Sequence, residues 1–413
     1  MGNPAHLLAA LGGSILILAG CGGSGGGGGG GNSSNNAAIP PASSAPVVAT
    51  ASNVLPITVN SGPAGSVNLA FASVTVCVPG SASACQTVDG ILIDTGSTGL
   101  RIIASALGAL ALPQQTDASG NPVAECAQFA DGSSWGPVKM ADVKLSGKQA
   151  SSLAIQVIGD PGFAAVPSGC PGRTRNTVSR LGANGILGVG SFRYDCGDAC
   201  VQSTSPGIYY VCPSAGCTRT VRPLSGQVQQ PVSVFAADNN GVVVQFPSVP
   251  DSGVASLSGT LTFGIATQSN NALGSAAVYT VDPLTGWLTT VYKGRTLPNS
   301  FIDSGSNAYF FQDSAIASCT VTGTLGFYCP PAPQSLSALI QGTNGRNTSI
   351  QFGLTSASSL FAGGGTAFNN LGAPNASFTS FDWGLPFFYG RTVFVAIEGA
   401  AVSGAPAGPF VAF

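Results

Sequence analysis

From Val54 onward, apolar residues come in short runs broken by Gly, Pro, Asn or Asp. Segments 54–59, 67–78, 88–94, 137–145, 242–246 and 258–265 are rich in Val, Ile, Leu, Thr and Phe and predict β-strands. A 3.6-residue apolar repeat is rarely sustained; residues 105–112 and 335–339 are the candidates for short helices. The predicted class is mainly β. Ahead of this body, residues 7–20 form a single apolar run. As a helix it would rise about 21 Å, too short for a hydrocarbon core of about 30 Å. It fits the apolar region of an export signal instead. No later run reaches the length of a membrane span, so no transmembrane helix is expected.

The run closes on Leu18-Ala19-Gly20-Cys21, which resembles a bacterial lipobox. The resemblance implies that residues 1–20 are a signal peptide and that Cys21 is lipidated; an ordinary secretory signal or a buried apolar helix is the alternative. Residues 21–53 are Gly, Ser, Asn, Ala and Pro in the main. They bury too little apolar surface to offset their ordering entropy, so they read as a flexible tether. Gly22 follows the Cys in place of the Asp that, in enteric bacteria, resembles an inner-membrane retention signal. The expected location is therefore the bacterial cell envelope, lipid-anchored at the outer membrane.

Composition narrows the chemistry. Of 413 residues, 14 are Lys or Arg and 16 are Asp or Glu, a net charge of −2. The charged fraction is 7%, against about 25% in an ordinary soluble domain. Such a chain has no field for a polyanion, so no nucleic-acid partner is expected. The length suggests two or three domains or two lobes. The sole histidine is His6, inside the segment read as removed. Ser-His-Asp and Cys-His nucleophiles and His-ligated metals are thereby excluded from the mature chain. Setting aside Cys21, ten of the 11 cysteines remain, an even number suited to disulfides in an oxidising compartment. Short separations suggest Cys77–Cys85, Cys319–Cys329 and Cys126–Cys170. The pairing of Cys196, Cys200, Cys212 and Cys217 stays open, with a four-thiolate zinc site as the alternative.

One pattern occurs twice. Gly90-Ile91-Leu92-Ile93-Asp94-Thr95-Gly96-Ser97 is echoed by Asn299-Ser300-Phe301-Ile302-Asp303-Ser304-Gly305-Ser306. Each is an apolar strand delivering an aspartate to a turn, which implies duplicated lobes. A strand leading Asp into a low-dielectric position makes ionisation costly. Gly permits a sharp turn and close approach, and Thr or Ser adds a hydroxyl to brace the loops. Two carboxylates in contact share one proton and can activate a water between them.

On these two motifs the sequence resembles the pepsin-like aspartic proteases. Further landmarks follow in the family's order across roughly residues 54–413. Phe129-Ala130-Asp131-Gly132-Ser133 resembles the flap hairpin, and Asp-Gly is itself a strong turn signal. Asn184-Gly185-Ile186-Leu187-Gly188-Val189-Gly190 resembles the strand behind the first catalytic loop. Its counterpart in the second lobe resembles the stretch from Trp383-Gly384 through Thr392-Val393-Phe394-Val395, and Leu261-Thr262-Phe263-Gly264 resembles the strand opening that lobe. The resemblance implies a mainly β, bilobal, pepsin-like double-ψ β-barrel architecture with a central cleft and few short helices. It implies an N-terminal lobe at 54–235 and a C-terminal lobe at 236–413. It implies catalytic Asp94 and Asp303, loop-bracing Thr95, Gly96, Ser97, Ser304, Gly305 and Ser306, and substrate contacts at Phe129, Asp131, Gly132, Ser133 and Arg101. No cofactor and no metal are expected. The expected partners are a peptide or protein substrate and the membrane through the lipid, with the protein a monomer.

Two positions depart from the family. Arg101 stands where a Trp is usual and Phe129 where the flap Tyr is usual. Arg over an aromatic face would make another latch; the alternative is a surface Arg101 and a Phe129 packed alone. Arg173, Arg175 and Arg180 read as a solvated loop, and 202–230 as an insertion that either extends the lobe or shapes specificity. Trp135 lines the cleft or packs in the core. Three functions are carried: an aspartic endopeptidase, a catalytically silent peptide- or ligand-binding lipoprotein, and a carboxylate-pair glycosidase, whose carboxylates would stand ~5–10 Å apart.

Overall fold

The computed structural model describes residues 51–413. The signal segment, most of the tether, His6 and Cys21 lie outside the described residues. Among those described, no helix is long and apolar enough to cross a membrane.

The architecture is mainly β, with short strands and few short helices, as expected. The strands form two hydrogen-bonded systems. A 15-stranded sheet runs through the first half of the chain and continues into the second, and a seven-stranded sheet lies wholly within the second half. The join is Val54–Val59, which pairs along its whole length with Leu257–Phe263, Val54 opposite Thr262. Leu257–Phe263 in turn pairs with Gly241–Gln245, and that strand with Thr392–Ala396. Alternation in Val-Leu-Pro-Ile-Thr-Val buries Leu55, Ile57 and Val59 in the shared core. The two lobes are thus tied by a sheet rather than a linker. Asn68 adds a buried clasp. Its amide donates to the carbonyls of Asn307 and Phe368 and accepts from Phe368 N–H and the Tyr389 hydroxyl, all in the second half.

Each lobe presents its aspartate by the same local topology. Cys85–Asp94 runs parallel to Gly185–Val189, Asp94 opposite Gly188, and Thr98–Ile103 returns antiparallel to that same strand. In the second lobe Arg295–Ile302 runs parallel to Asp382–Trp383, and Tyr309–Phe310 returns antiparallel to it. Gly188 and Gly384 occupy equivalent places against the returning loops. A Cβ on Gly188 would stand 2.6 Å from Thr98 N, and one on Gly384 2.7 Å from the Ser306 carbonyl.

Two expected helices are corrected. Residues 335–339 lie in the strand Gln334–Gln341, paired with Asn347–Leu354. Leu336, Ala338 and Ile340 alternate with Ser and Leu, a period of two that governs once a partner strand is present. Residues 105–112 yield only the 3-10 turn Ala104–Leu107. The disulfides Cys77–Cys85, Cys126–Cys170 and Cys319–Cys329 form as expected. The open four pair as Cys196–Cys200 and Cys212–Cys217. Within the insertion, Tyr209–Val211 and Thr218–Arg219 extend the sheet beside Val123–Phe129. None of residues 202–230 lines the central cleft, and the segment extends the sheet beside the flap.

Candidate active site

The two repeated loops meet between the lobes. Gly96 and Gly305 make the approach possible. A Cβ on Gly96 would fall 2.7 Å from the carboxyl carbon of Asp303, and one on Gly305 2.7 Å from that of Asp94. No side chain larger than hydrogen fits at either place, because the opposite carboxyl already occupies it. Gly96 N–H donates to Oδ1 of Asp94 at 2.8 Å and to Oδ1 of Asp303 at 3.1 Å. The two inner oxygens are thus gathered on one donor. The outer oxygens are held in matching fashion: the Ser97 hydroxyl donates to Asp94 Oδ2 at 2.5 Å and the Ser306 hydroxyl to Asp303 Oδ2 at 2.7 Å. Carboxyls in contact leave no room for the ~5–10 Å spacing of a glycosidase pair.

Beneath them the loops are locked reciprocally. Thr95 N–H donates to the Ser304 hydroxyl, and Ser304 N–H donates to the Thr95 hydroxyl. Ser304 also donates to the Ile93 carbonyl and Thr95 to that of Ile302. Both residues are buried, and the N–H and hydroxyl of each are paired with the opposite lobe.

Burial pushes Asp303 well above the usual carboxylate range, and the neighbouring Asp94 and Asp382 carboxyls add to the rise against the Ser306 hydrogen bond. The protonated form is favoured accordingly, the direction that two close carboxyls require of the pair.

The flap is the hairpin of Val123–Phe129 and Gly132–Leu145, with Phe129 opposite Gly132. Phe129, Ala130 and Asp131 line the cleft; Gly132 and Ser133 do not, and neither does Arg101. Those three positions lie behind the residues that line the cleft. Ser133 is fully buried and hydrogen-bonds through its backbone to Arg173 and Arg175. Arg101 is 3% exposed, which rules out the surface reading. Its guanidinium lies 5.9 Å from the Phe129 ring centroid and ion-pairs with Glu125 at 2.6 Å and Asp195 at 3.3 Å. One cation thus serves two buried carboxylates. Burial, then the Glu125 charge, holds Asp195 well above its ordinary range, and the Tyr209 hydroxyl caps it at 2.6 Å. Trp135 is a core residue: fully buried, its indole N–H donates to the Phe163 carbonyl.

Several cleft residues carried no sequence signal. Arg175, expected in solvent, lines the cleft and pairs with Asp131 at 2.5 Å. Leu284 and Trp287 reach the cleft from the turn before Leu288–Tyr292. Asp382 lines it from the strand behind the second loop. Only the duplication itself could have pointed to Asp382, as the counterpart of Ile186.

A family model described as a protein of unknown function (DUF3443) matches residues 49–413. The chain belongs to the DUF3443 family. A search of curated proteins returned no match for this DUF3443 chain. Among solved structures it is similar to the aspartic proteinase from Irpex lacteus, at 16% identity over 87% of this chain and 96% of that one, with a TM-score of 0.47. The DUF3443 match covers every residue of the paired loops, the flap and the Asp382 strand.

Proposed function

We propose that this protein is an aspartic-type endopeptidase acting on extended peptides. The observation that carries the reading is the Asp94–Asp303 pair gathered on the Gly96 N–H, in which each carboxyl fills the space left by the other loop's glycine. In this reading a water rests against the pair. Asp94 takes its proton as oxygen attacks the peptide carbonyl, and Asp303 donates the shared proton to the carbonyl oxygen. The resulting tetrahedral centre collapses when the leaving nitrogen is protonated from the dyad. Thr95 and Ser304 hold the loops, while Gly96, Ser97, Gly305 and Ser306 fix the carboxyl orientations. Peptide lies beneath Phe129 and Asp131, facing Leu284 and Trp287, and is gripped by its main chain.

The reaction needs no histidine and no group beyond the chain's own side chains and water. The test is cleavage of an unbiased peptide library from about pH 3 to 8, with wild type, Asp94→Asn and Asp303→Asn. Cutting by wild type alone supports the proposal. No cutting by wild type, or equal cutting by the variants, leaves a catalytically silent peptide-binding cleft as the better account. Anchoring through a lipid on Cys21, at the outer membrane and on a monomer, belongs to the same proposal. Cys21→Ser should leave the protein unprocessed or release it from the membrane fraction, and unchanged retention would overturn that part.

A further inference from the structure

The two lobes differ at one position beside the dyad. Ile186 and Asp382 each stand two residues before the glycine that abuts an Asp loop. They pair in register with Leu92 and Phe301, each two residues before its aspartate, and all four side chains line the cleft. The first lobe fills this position with an aliphatic side chain and the second with a carboxyl. A polar group there is not a requirement of the fold, since isoleucine serves in the sister lobe.

Asp382 is 4% exposed, and its Oδ1 has no hydrogen-bond partner in the protein. Burial keeps its carboxyl well above the usual range, with the nearby Ser306 hydroxyl opposing. A buried acceptor left unpaired is unfavourable and calls for a function. The other cleft carboxylates are taken. Asp131 pairs with Arg175, Asp195 with Arg101 and Tyr209, and the dyad with its glycines and serines. Among the described residues no Lys or Arg forms an ion pair with Asp382, Asp94 or Asp303. Three carboxyls of the cleft thus stand without an ion-pair partner.

Resting on the peptidase reading above, we infer that Asp382 is a specificity-determining residue that accepts the charged end of a lysine or arginine side chain adjacent to the scissile bond. The Phe301 ring beside it offers an apolar surface to the aliphatic stem, while the carboxyl supplies the partner that a buried cation requires. Arrival of the cation favours the ionised form of Asp382 and satisfies its open oxygen. An uncharged side chain of similar length leaves that oxygen unpaired, which is how a polar pocket rejects an apolar competitor.

The experiment maps cut sites in a peptide library and then compares two peptides identical but for lysine or norleucine at the favoured flanking position. Wild type, Asp382→Asn and Asp382→Ile are assayed, with thermal melting to confirm that each is folded. Wild type is expected to favour lysine in kcat/KM by about tenfold or more. Asp382→Ile, which makes the two walls alike, is expected to favour norleucine, with Asp382→Asn between. If Asp382→Ile does not fold, the nearly isosteric Asn variant carries the comparison. A wild-type ratio near one, or an unchanged ratio in a folded variant, overturns the inference while leaving the peptidase intact. If wild type cuts neither peptide, calorimetric titration of both into wild type separates the failures. Tighter binding of the lysine peptide then sinks the peptidase reading alone, and equal binding sinks both.

Discussion

The Asp94 and Asp303 loops share a motif, a topology and a set of hydrogen bonds, yet their supports differ. The first is backed by aliphatic strands: Ile91, Ile93, Leu100, Ile102, Leu187 and Val189 are all buried. The second is backed by rings. Phe381 stacks on Trp383 with centroids 4.2 Å apart and on Phe311 at 4.9 Å, and Tyr309 and Phe352 meet them edge-on or tilted. Trp383 also donates its indole N–H to the Thr290 hydroxyl. Aromatic contacts of this kind add about 0.5–1.5 kcal/mol each beyond area burial. The second lobe therefore has rigid support for a strand that exposes a carboxyl, Asp382, where the first lobe exposes Ile186. Near-symmetry at the dyad is compatible with unlike walls, because backbone geometry fixes the loops and side chains alone differ behind them.

The largest expected effect breaks the symmetry at its centre. Asp94→Asn and Asp303→Asn should each lower kcat by about a thousandfold or more. The double variant should be scarcely worse, since the pair acts as one unit; a double variant losing the product of the single losses would show two independent groups. Next come the glycines. Gly96→Ala and Gly305→Ala each drive a methyl into the opposite carboxyl, and a displacement near 1 Å costs about a hundredfold in rate. Single-turnover kinetics on both variants checks this, and an active Gly305→Ala enzyme would contradict the contact.

The brace should prove less symmetric than it looks. Ser304→Ala removes an acceptor for Thr95 N–H and a 2.8 Å donor to Ile93, whereas Thr95→Val removes an acceptor and a longer 3.3 Å bond. Each should cost about 1–3 kcal/mol in denaturant unfolding, with Ser304→Ala the larger. Equal or negligible losses would assign the loops' rigidity to the sheet instead.

The pH dependence follows from Asp303, raised first by burial and then by Asp94 and Asp382. An acid whose folded pKa is raised contributes stability that is present below the unfolded value and lost as pH rises through the folded value. Asp382→Ile removes one source of the rise, so the alkaline limb of kcat/KM should move toward acid and the loss of stability on raising pH should shrink. A limb that stays put would show that Asp382 does not act on the dyad. The smallest effect concerns the flap. Asp131 is raised to about 6, by burial first, with Arg175 opposing. Below that value it is protonated and the ion pair weakens. Arg175→Ala should therefore destabilise by about 1 kcal/mol near neutral pH and by less near pH 4.5, read by melting at the two conditions.

Legibility tracked locality. The Asp-(Thr/Ser)-Gly-Ser turns, the Asp131-Gly132 hairpin tip and the Cys77–Cys85 and Cys319–Cys329 pairs are local signals, so they could be read, whereas four cysteines crowded between 196 and 217 admit several pairings until the fold selects one. Residues 335–339 misled because a five-residue apolar pattern fits either period until a partner strand selects one. Arg175 looked solvated because nothing local reveals that Asp131, 44 positions earlier in the chain, folds over it.

By itself the sequence determined a mainly β chain, duplicated about two apolar strands that each end in an aspartate, with no histidine after His6. Those properties follow from side-chain periodicity, turn chemistry and composition. Tertiary structure decided that the aspartates touch, that Arg101 is buried between two carboxylates, and that Asp382 rather than a second isoleucine faces the cleft. Each of these depends on strands distant in sequence being placed in register, and a carboxyl's protonation depends on the water and charge that such placement removes or brings near.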